Sequence, residues 1–225
     1  MIRLEYPKVL PHIMAPFEDV NGTMKMHRES IVGHLSSYDF TTGVRQLLPL
    51  LRSLASTTND WSIEEFRDPS STELVCRKNV HFRDIASSEF ELGTDALISL
   101  EYRVLYSSAF EVPILLIRDQ NSAGGSLSTN TFLAFLSAYT TALYYSSTPL
   151  LLGLSQIEHP HLGIPYYQFH PCRTAQLMQE TLSVPFSCNF SHAVRYLLLW
   201  LSLVCSPLGV DIPKDLVLSA QRLEL

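Results

Sequence analysis

The chain has 225 residues, of which 46% are hydrophobic and 17% charged. That balance suits one large domain with a sizeable core and argues against long disorder. The 16 Lys and Arg stand against 22 Asp and Glu, a net charge of −6, which excludes a broadly basic nucleic-acid footprint. Arg3, Glu5 and Lys8, together with Pro7, Pro11 and Pro16, interrupt the amino-terminal stretch and fit no secretory signal. Cys76, Cys172, Cys188 and Cys205 are therefore expected as reduced thiols in a cytoplasmic protein, although their even number would permit two disulfides. The most apolar stretch, residues 196–205, is about ten residues long against the roughly 20 that span a bilayer. It reads as a buried helix, with no stable membrane insertion.

In chain order, residues 1–25 look like a proline-rich lead-in. Two short helical patterns follow. One, over 28–38, puts Ile31, His34, Leu35 and Tyr38 on one face. The other, over 44–55, aligns Leu47, Leu48, Leu51 and Leu54, with Pro49 expected to bend or divide it. Residues 57–60 read as a loop ending at Trp61. Strands are predicted over 74–82 and over 97–106, the latter with Leu100, Tyr102, Val104 and Tyr106 at period two. A further strand over 112–117 would pair with it in antiparallel fashion, with Pro113 where no ladder N–H is needed. After the Gly124-Gly125 turn, Phe132, Phe135, Leu136, Tyr139 and Leu143 mark a helix, capped by Ser128 or Thr129. Residues 146–171 read as a long irregular segment. A short helix over 173–181 and a final one over 191–205 complete the chain. Helices, antiparallel strands and helices in that order make an α+β fold.

The phosphate-cradling and dinucleotide-binding glycine motifs are absent, as are His-Glu-x-x-His and Cys-x-x-Cys. What remains is His159-Pro160-His161, followed shortly by His170-Pro171-Cys172-Arg173. Cys172 has a cation beside it and stands where a helix begins, and Pro171 pushes His170 toward an extended backbone. Such a setting suits a nucleophilic thiol. A small hydrophobe capping a turn is the plainer reading. His159, His161, His170 and Cys172 also hold enough ligands for one zinc ion, but the spacings are not those of zinc sites, so no metal is expected. The Tyr166-Tyr167 pair reads as packing.

The run Glu158-His159-Pro160-His161-Leu162-Gly163-Ile164-Pro165-Tyr166-Tyr167-Gln168-Phe169-His170-Pro171-Cys172-Arg173-Thr174 resembles the active-site segment of the autophagy E2-like conjugating enzymes. Residues 101–107 with 112–115 are similar to the family's central hairpin. Tyr196, residues 200–204, 207–210 and Pro213 are similar to its carboxy-terminal helix and tail. The resemblance implies an E2-like core with an antiparallel sheet of about four strands packed against helices. The resemblance covers roughly Trp61 to Pro213 and implies a catalytic core over 61–225; residues 1–60 match the family poorly and read as a divergent amino-terminal helical segment packing on that core.

The resemblance also implies that Cys172 accepts the ubiquitin-like autophagy-related protein 12 as a thioester from the E1-like protein 7. Transfer to a lysine of protein 5 follows, with protein 8 a further candidate partner and no cofactor. His170 stands where a polar group that donates to the oxyanion or helps deprotonate the amine is expected. One departure is Phe110, where the family often has a tyrosine; Tyr102 and Tyr106 are the candidates to supply that hydroxyl. Within the same family, the sister branch that attaches protein 8 to a phospholipid is the alternative, but its long acidic insertion and amphipathic amino terminus are not visible here. A cysteine hydrolase and an inactive E2-like binding module are the alternatives from other classes.

Overall fold

The computed structural model describes residues 33–54, 59–67, 71–81, 97–121, 124–144, 154–183 and 189–221. The lead-in, the start of the first expected helix, Thr57-Thr58, Phe82 and Cys188 lie outside the described residues. The elements are α1 (Ser37–Leu54), β1 (Asn59–Glu65), β2 (Thr72–His81), β3 (Leu97–Ser107), β4 (Val112–Asn121), α2 (Thr129–Tyr144), β5 (Leu154–Glu158), β6 (Pro165–Phe169), α3 (Thr174–Leu182), α4 (His192–Val204) and α5 (Lys214–Gln221).

The six described strands form one antiparallel sheet in the order β1-β2-β3-β4-β6-β5. One face carries Leu74, Cys76, Leu100, Tyr102, Val104, Leu115 and Ile117, all buried in a core with α1, α2 and α4. From α1 that core receives Phe40, Val44, Leu47 and Leu51, each fully buried and each contributing roughly 1.5–3 kcal/mol by leaving water. Gly43 lets α1 approach α4 closely. A Cβ there would lie 2.8 Å from Cδ1 of Leu197 and 3.0 Å from Cβ of Ala193.

Several expectations are corrected. Among the described residues one helix, α1, stands in place of the two amino-terminal helical patterns; it begins at Ser37 and takes in only the last two positions of the first pattern. Ser36 caps it: its Oγ accepts from the Asp39 N–H at 3.0 Å and donates to Asp39 Oδ2 at 2.6 Å. His34 and Leu35 therefore precede the helix. Pro49 does not divide it, because it sits on the exposed side, where a carbonyl left without its helical partner can turn to water. The expected loop at residues 57–60 already belongs to β1 from Asn59 onward. The irregular segment over 146–171 contains the β5–β6 hairpin, and α5 follows the helix expected to be last. The sheet thus has six described strands rather than about four. The missed strands are short and show no sustained alternation of apolar and polar residues, and the β5–β6 hairpin joins the sheet only through β4, some fifty residues earlier.

The opposite face of the sheet is also covered. The hairpin meets β4 only at Leu116↔Gln168 and Ile117↔Tyr167, and its remainder folds over β3 and β2. Tyr166 packs with Leu105 and Leu116. Beneath it lies a charge network centred on Arg103, whose side chain is 4% exposed. Its Nη1 donates to Glu64 Oε2 at 2.7 Å and to Glu73 Oε2 at 2.9 Å, and its Nε to Glu101 Oε1 at 2.7 Å and to Tyr166 Oη at 3.0 Å. Arg77 bridges Glu64 and Glu101 from the rim. Burial opposes ionisation of Glu64 and Glu101, but hydrogen bonds from Arg103, with further help from Arg77, outweigh it and hold both carboxyls below their usual range.

His159, also buried, closes the network. Its Nε2 donates to Glu73 Oε2 at 3.2 Å, while its Nδ1 accepts the N–H groups of His161 and Leu162, each at 3.2 Å. Those two acceptances require the neutral tautomer with the proton on Nε2. Burial, only partly offset by Glu73, lowers its pKa.

Removing one partner of a buried ion pair leaves the other uncompensated, at a cost of about 3–5 kcal/mol. Arg103→Met is therefore expected to lower the urea-unfolding free energy by about that amount, and Arg103→Lys by less. A pH effect follows as well. Because the folded pKa of His159 lies below its unfolded value of 6.5, its contribution is complete above pH 6.5 and is lost as pH falls through the folded value. The melting temperature of His159→Gln should fall less steeply between about pH 6.5 and 5 than that of the wild type. Parallel curves would show that His159 does not titrate in this way.

Candidate active site

β6 delivers the chain to the site. Its last residue, Phe169, is followed by His170 in an extended conformation (φ −67°, ψ 123°) and then by a 3₁₀ turn, Pro171–Arg173, that runs directly into α3. Pro171 is buried and suits the first position of such a turn, where its missing N–H has no partner to lose. Cys172 is next and is exposed. Its backbone N–H donates to Nδ1 of His170 at 3.2 Å. This bond requires an unprotonated Nδ1, so the neutral imidazole carries its proton on Nε2.

The ring of Phe110, in the turn between β3 and β4, meets the His170 ring edge-on, with centroids 5.9 Å apart and planes at 75°. An apolar cleft of about 160 Å³ opens beside His170, lined by Pro113, Ile114, Phe169, Trp200 and Leu203 among others. Trp200 and Leu203 come from α4, far along the chain, and the sequence motif gives no sign of this wall.

The other described cysteines differ sharply. Cys76 lies inside the core on β2, where burial pushes its thiol up to about 12. Cys205, at the end of α4, is fully buried and pushed well above its ordinary value, with Cys76 adding to the effect. A thiol reacts as its thiolate, so both are inert by comparison. Among the described cysteines, Cys172 alone is exposed.

The histidine cluster does not assemble. His159 and His161 lie over the outer face of the sheet, His159 on Glu73 and His161 stacked on Phe66 with centroids 4.5 Å apart. His170 and Cys172 follow the far end of β6. Among the described residues no group of three His, Cys, Asp or Glu side chains is placed to hold a metal ion. The candidate tyrosines are engaged elsewhere. Tyr102 is in the core, its Oη donating to the Leu208 carbonyl at 2.8 Å, and Tyr106 packs on Phe40 of α1. Phe110 is the aromatic residue that stands beside His170. Tyr167 stacks on Phe132 of α2, so the tyrosine pair is packing, although Tyr166 also carries part of the Arg103 network.

An antiparallel sheet backed by helices, with an exposed cysteine in the turn at the head of a helix, is the arrangement of an E2-like fold. A solved structure titled "Crystal structure of Autophagic E2, Atg10" superposes with a TM-score of 0.50 at 17% identity, covering 79% of this chain and 99% of that one. A family model described as "Autophagocytosis associated protein, active-site domain" matches residues 21–215. The chain belongs to that family.

Its relatives include proteins named ubiquitin-like-conjugating enzyme ATG10. That of Dictyostelium discoideum is 32% identical over 128 residues, 54% of this chain and 55% of that protein. The Homo sapiens protein is 31% identical over 118 residues, covering 52% and 51%, and the Arabidopsis thaliana protein 28% over 120 residues, covering 52% of each. The chain spans about half the length of these curated relatives. Among the described residues no helix is long and apolar enough to cross a membrane.

The exposure difference predicts selective alkylation. With folded protein near neutral pH, iodoacetamide should modify Cys172 well before Cys76 or Cys205, as read by peptide mass spectrometry. Comparable rates at the three sites would contradict the burial that sets them apart.

Proposed function

We propose that this chain is an E2-like conjugating enzyme in which Cys172 carries a ubiquitin-like protein as a thioester. The observation that supports this most directly is the exposed Cys172 in the turn that leads into α3, its N–H bound to His170, in a chain of the autophagocytosis family. The name that its relatives share, ubiquitin-like-conjugating enzyme, supports the same reading. The resemblance of the active-site segment adds the partners: protein 12 as the ubiquitin-like donor, the E1-like protein 7 as its source, and a lysine of protein 5 as the acceptor.

This reading comprises two chemical steps. Loading moves the carboxy-terminal acyl group of the donor from the thiol of the E1-like protein to Sγ of Cys172, exchanging one thioester for another. In discharge, a neutral lysine amine attacks the thioester carbonyl carbon. A C–N bond forms, the C–S bond breaks, the Cys172 thiolate departs, and the amine loses a proton. Negative charge develops on the carbonyl oxygen in between. With Nδ1 of His170 accepting from Cys172, the remaining ring function is the Nε2–H donor. This favours stabilisation of the oxyanion over removal of the amine proton, because an Nε2 that carries hydrogen cannot accept one. The apolar cleft beside His170 offers a dry wall for the residues of the donor that precede its carboxy terminus.

Incubation with protein 7, protein 12 and ATP should yield a thiol-sensitive adduct on a non-reducing gel. Cys172→Ser should give a stable oxyester or no adduct, and an undiminished thiol-sensitive band in that variant would sink the assignment. His170→Ala should charge normally but discharge onto protein 5 about 10²–10³-fold more slowly, the scale of one oxyanion donor, with partial recovery in His170→Asn. Discharge of the preformed thioester at the wild-type rate in His170→Ala would leave His170 a structural neighbour only.

A further inference from the structure

Residues 33–36, just before α1, touch three parts of the active-site region at once. Gly33 takes φ +102° and lies directly on α3, where a Cβ would sit 2.2 Å from the Ala175 carbonyl oxygen. Its own carbonyl accepts a buried hydrogen bond from Tyr196 Oη of α4 at 2.8 Å. The N–H of Leu35, a buried residue, donates to the Glu111 carbonyl at 2.9 Å. The Nδ1 of His34 lies 3.2 Å from the Phe110 carbonyl oxygen. A carbonyl only accepts, so this Nδ1 carries the proton.

Two successive carbonyls of the β3–β4 turn are thus held from outside the hairpin. The turn has reason to need holding: Glu111 is in the left-handed region at φ +52°, which costs a non-glycine residue about 1–3 kcal/mol that the surrounding contacts must offset. The turn presents the Phe110 ring to His170. A chain of contacts therefore runs from His34 through the Phe110 backbone and ring to His170, and from His170 Nδ1 to the Cys172 N–H.

We propose that His34 is a positioning residue for the Cys172 centre. By holding the Phe110 carbonyl it fixes the ring against which His170 rests, and so fixes the direction of the His170 Nε2–H. The proposal rests on reading Cys172 and His170 as the reacting pair. Its physical content is that His34 governs an orientation rather than the fold, since its side chain is 32% exposed and outside the core.

The test compares His34→Ala with His34→Asn, whose amide can place an N–H near the position of Nδ1. His34→Ala should load with donor at the wild-type rate, discharge the preformed thioester about tenfold more slowly, the scale of one hydrogen bond, and melt at nearly the wild-type temperature. His34→Asn should recover discharge to within about threefold. Unchanged discharge in His34→Ala, or equal slowing in both variants, overturns the proposal. A second readout needs no reaction: amide exchange followed by NMR should be faster at Cys172 in His34→Ala than in wild type and restored in His34→Asn. If the wild-type chain forms no thioester, the conjugating function fails while the exchange measurement still decides the role of His34. An unaltered Cys172 amide in His34→Ala then overturns it.

Discussion

The guanidinium of Arg103 ties the β5–β6 hairpin to three neighbouring strands of the sheet beneath it. It reaches Glu64 on β1, Glu73 on β2, Glu101 on its own strand and Tyr166 on β6, while the β5–β6 hairpin is paired to the sheet at only two register positions. Buried ion pairs contribute little net stability against a hydrophobic alternative, but they are exacting about geometry. A hairpin that must bring Tyr166 and His159 to this charge cluster has one way to lie across the sheet. That placement sets where β6 ends, and with it the position of His170-Pro171-Cys172.

The centre itself is a junction of three elements. β6 supplies the approach, the Pro171–Arg173 turn and α3 fix the thiol at a helix entrance, and the β3–β4 turn brings Phe110 against His170. The wall of the neighbouring cleft comes from α4. The cysteine is exposed there because its neighbour Pro171, not Cys172, fills the interior position. The same core that buries Cys76 and Cys205 raises their thiols out of the reactive range. Selection among the described thiols is therefore a matter of burial.

The histidines divide the same way. Local sequence groups His159, His161, His170 and Cys172, yet β6 separates the first pair from the second. His159 is a structural acceptor and donor, held neutral by the two backbone N–H groups at its Nδ1 and by its burial. His170 has one nitrogen committed to the Cys172 N–H and its side chain exposed, the condition in which an imidazole can act on a bound group.

Periodicity in the sequence was enough to determine β3 and β4 and their antiparallel pairing, the apolar faces of α2 and α4, and the helix that starts just after Cys172. These depend on contacts close along the chain, where each side chain's neighbours are set by a repeat of two or about 3.6 residues. The His-Pro-Cys triplet was likewise legible, because proline constrains its immediate neighbours. What only the tertiary structure decided is long-range. β1, β5 and β6 are short and carry no clean period-two pattern, and they become strands through pairing with β2, with each other and, for β6, with β4. Arg103 and Glu101 sit in a strand whose alternation marks them as solvent-facing, and the first is buried and the second half-buried because a hairpin some sixty residues later folds over them. His34 falls on a helical face by spacing, but the Ser36 cap starts the helix after it and leaves it free to hold a turn 76 residues away. A local pattern can state which residues prefer to be covered; which segment covers them depends on packing that no window of sequence contains.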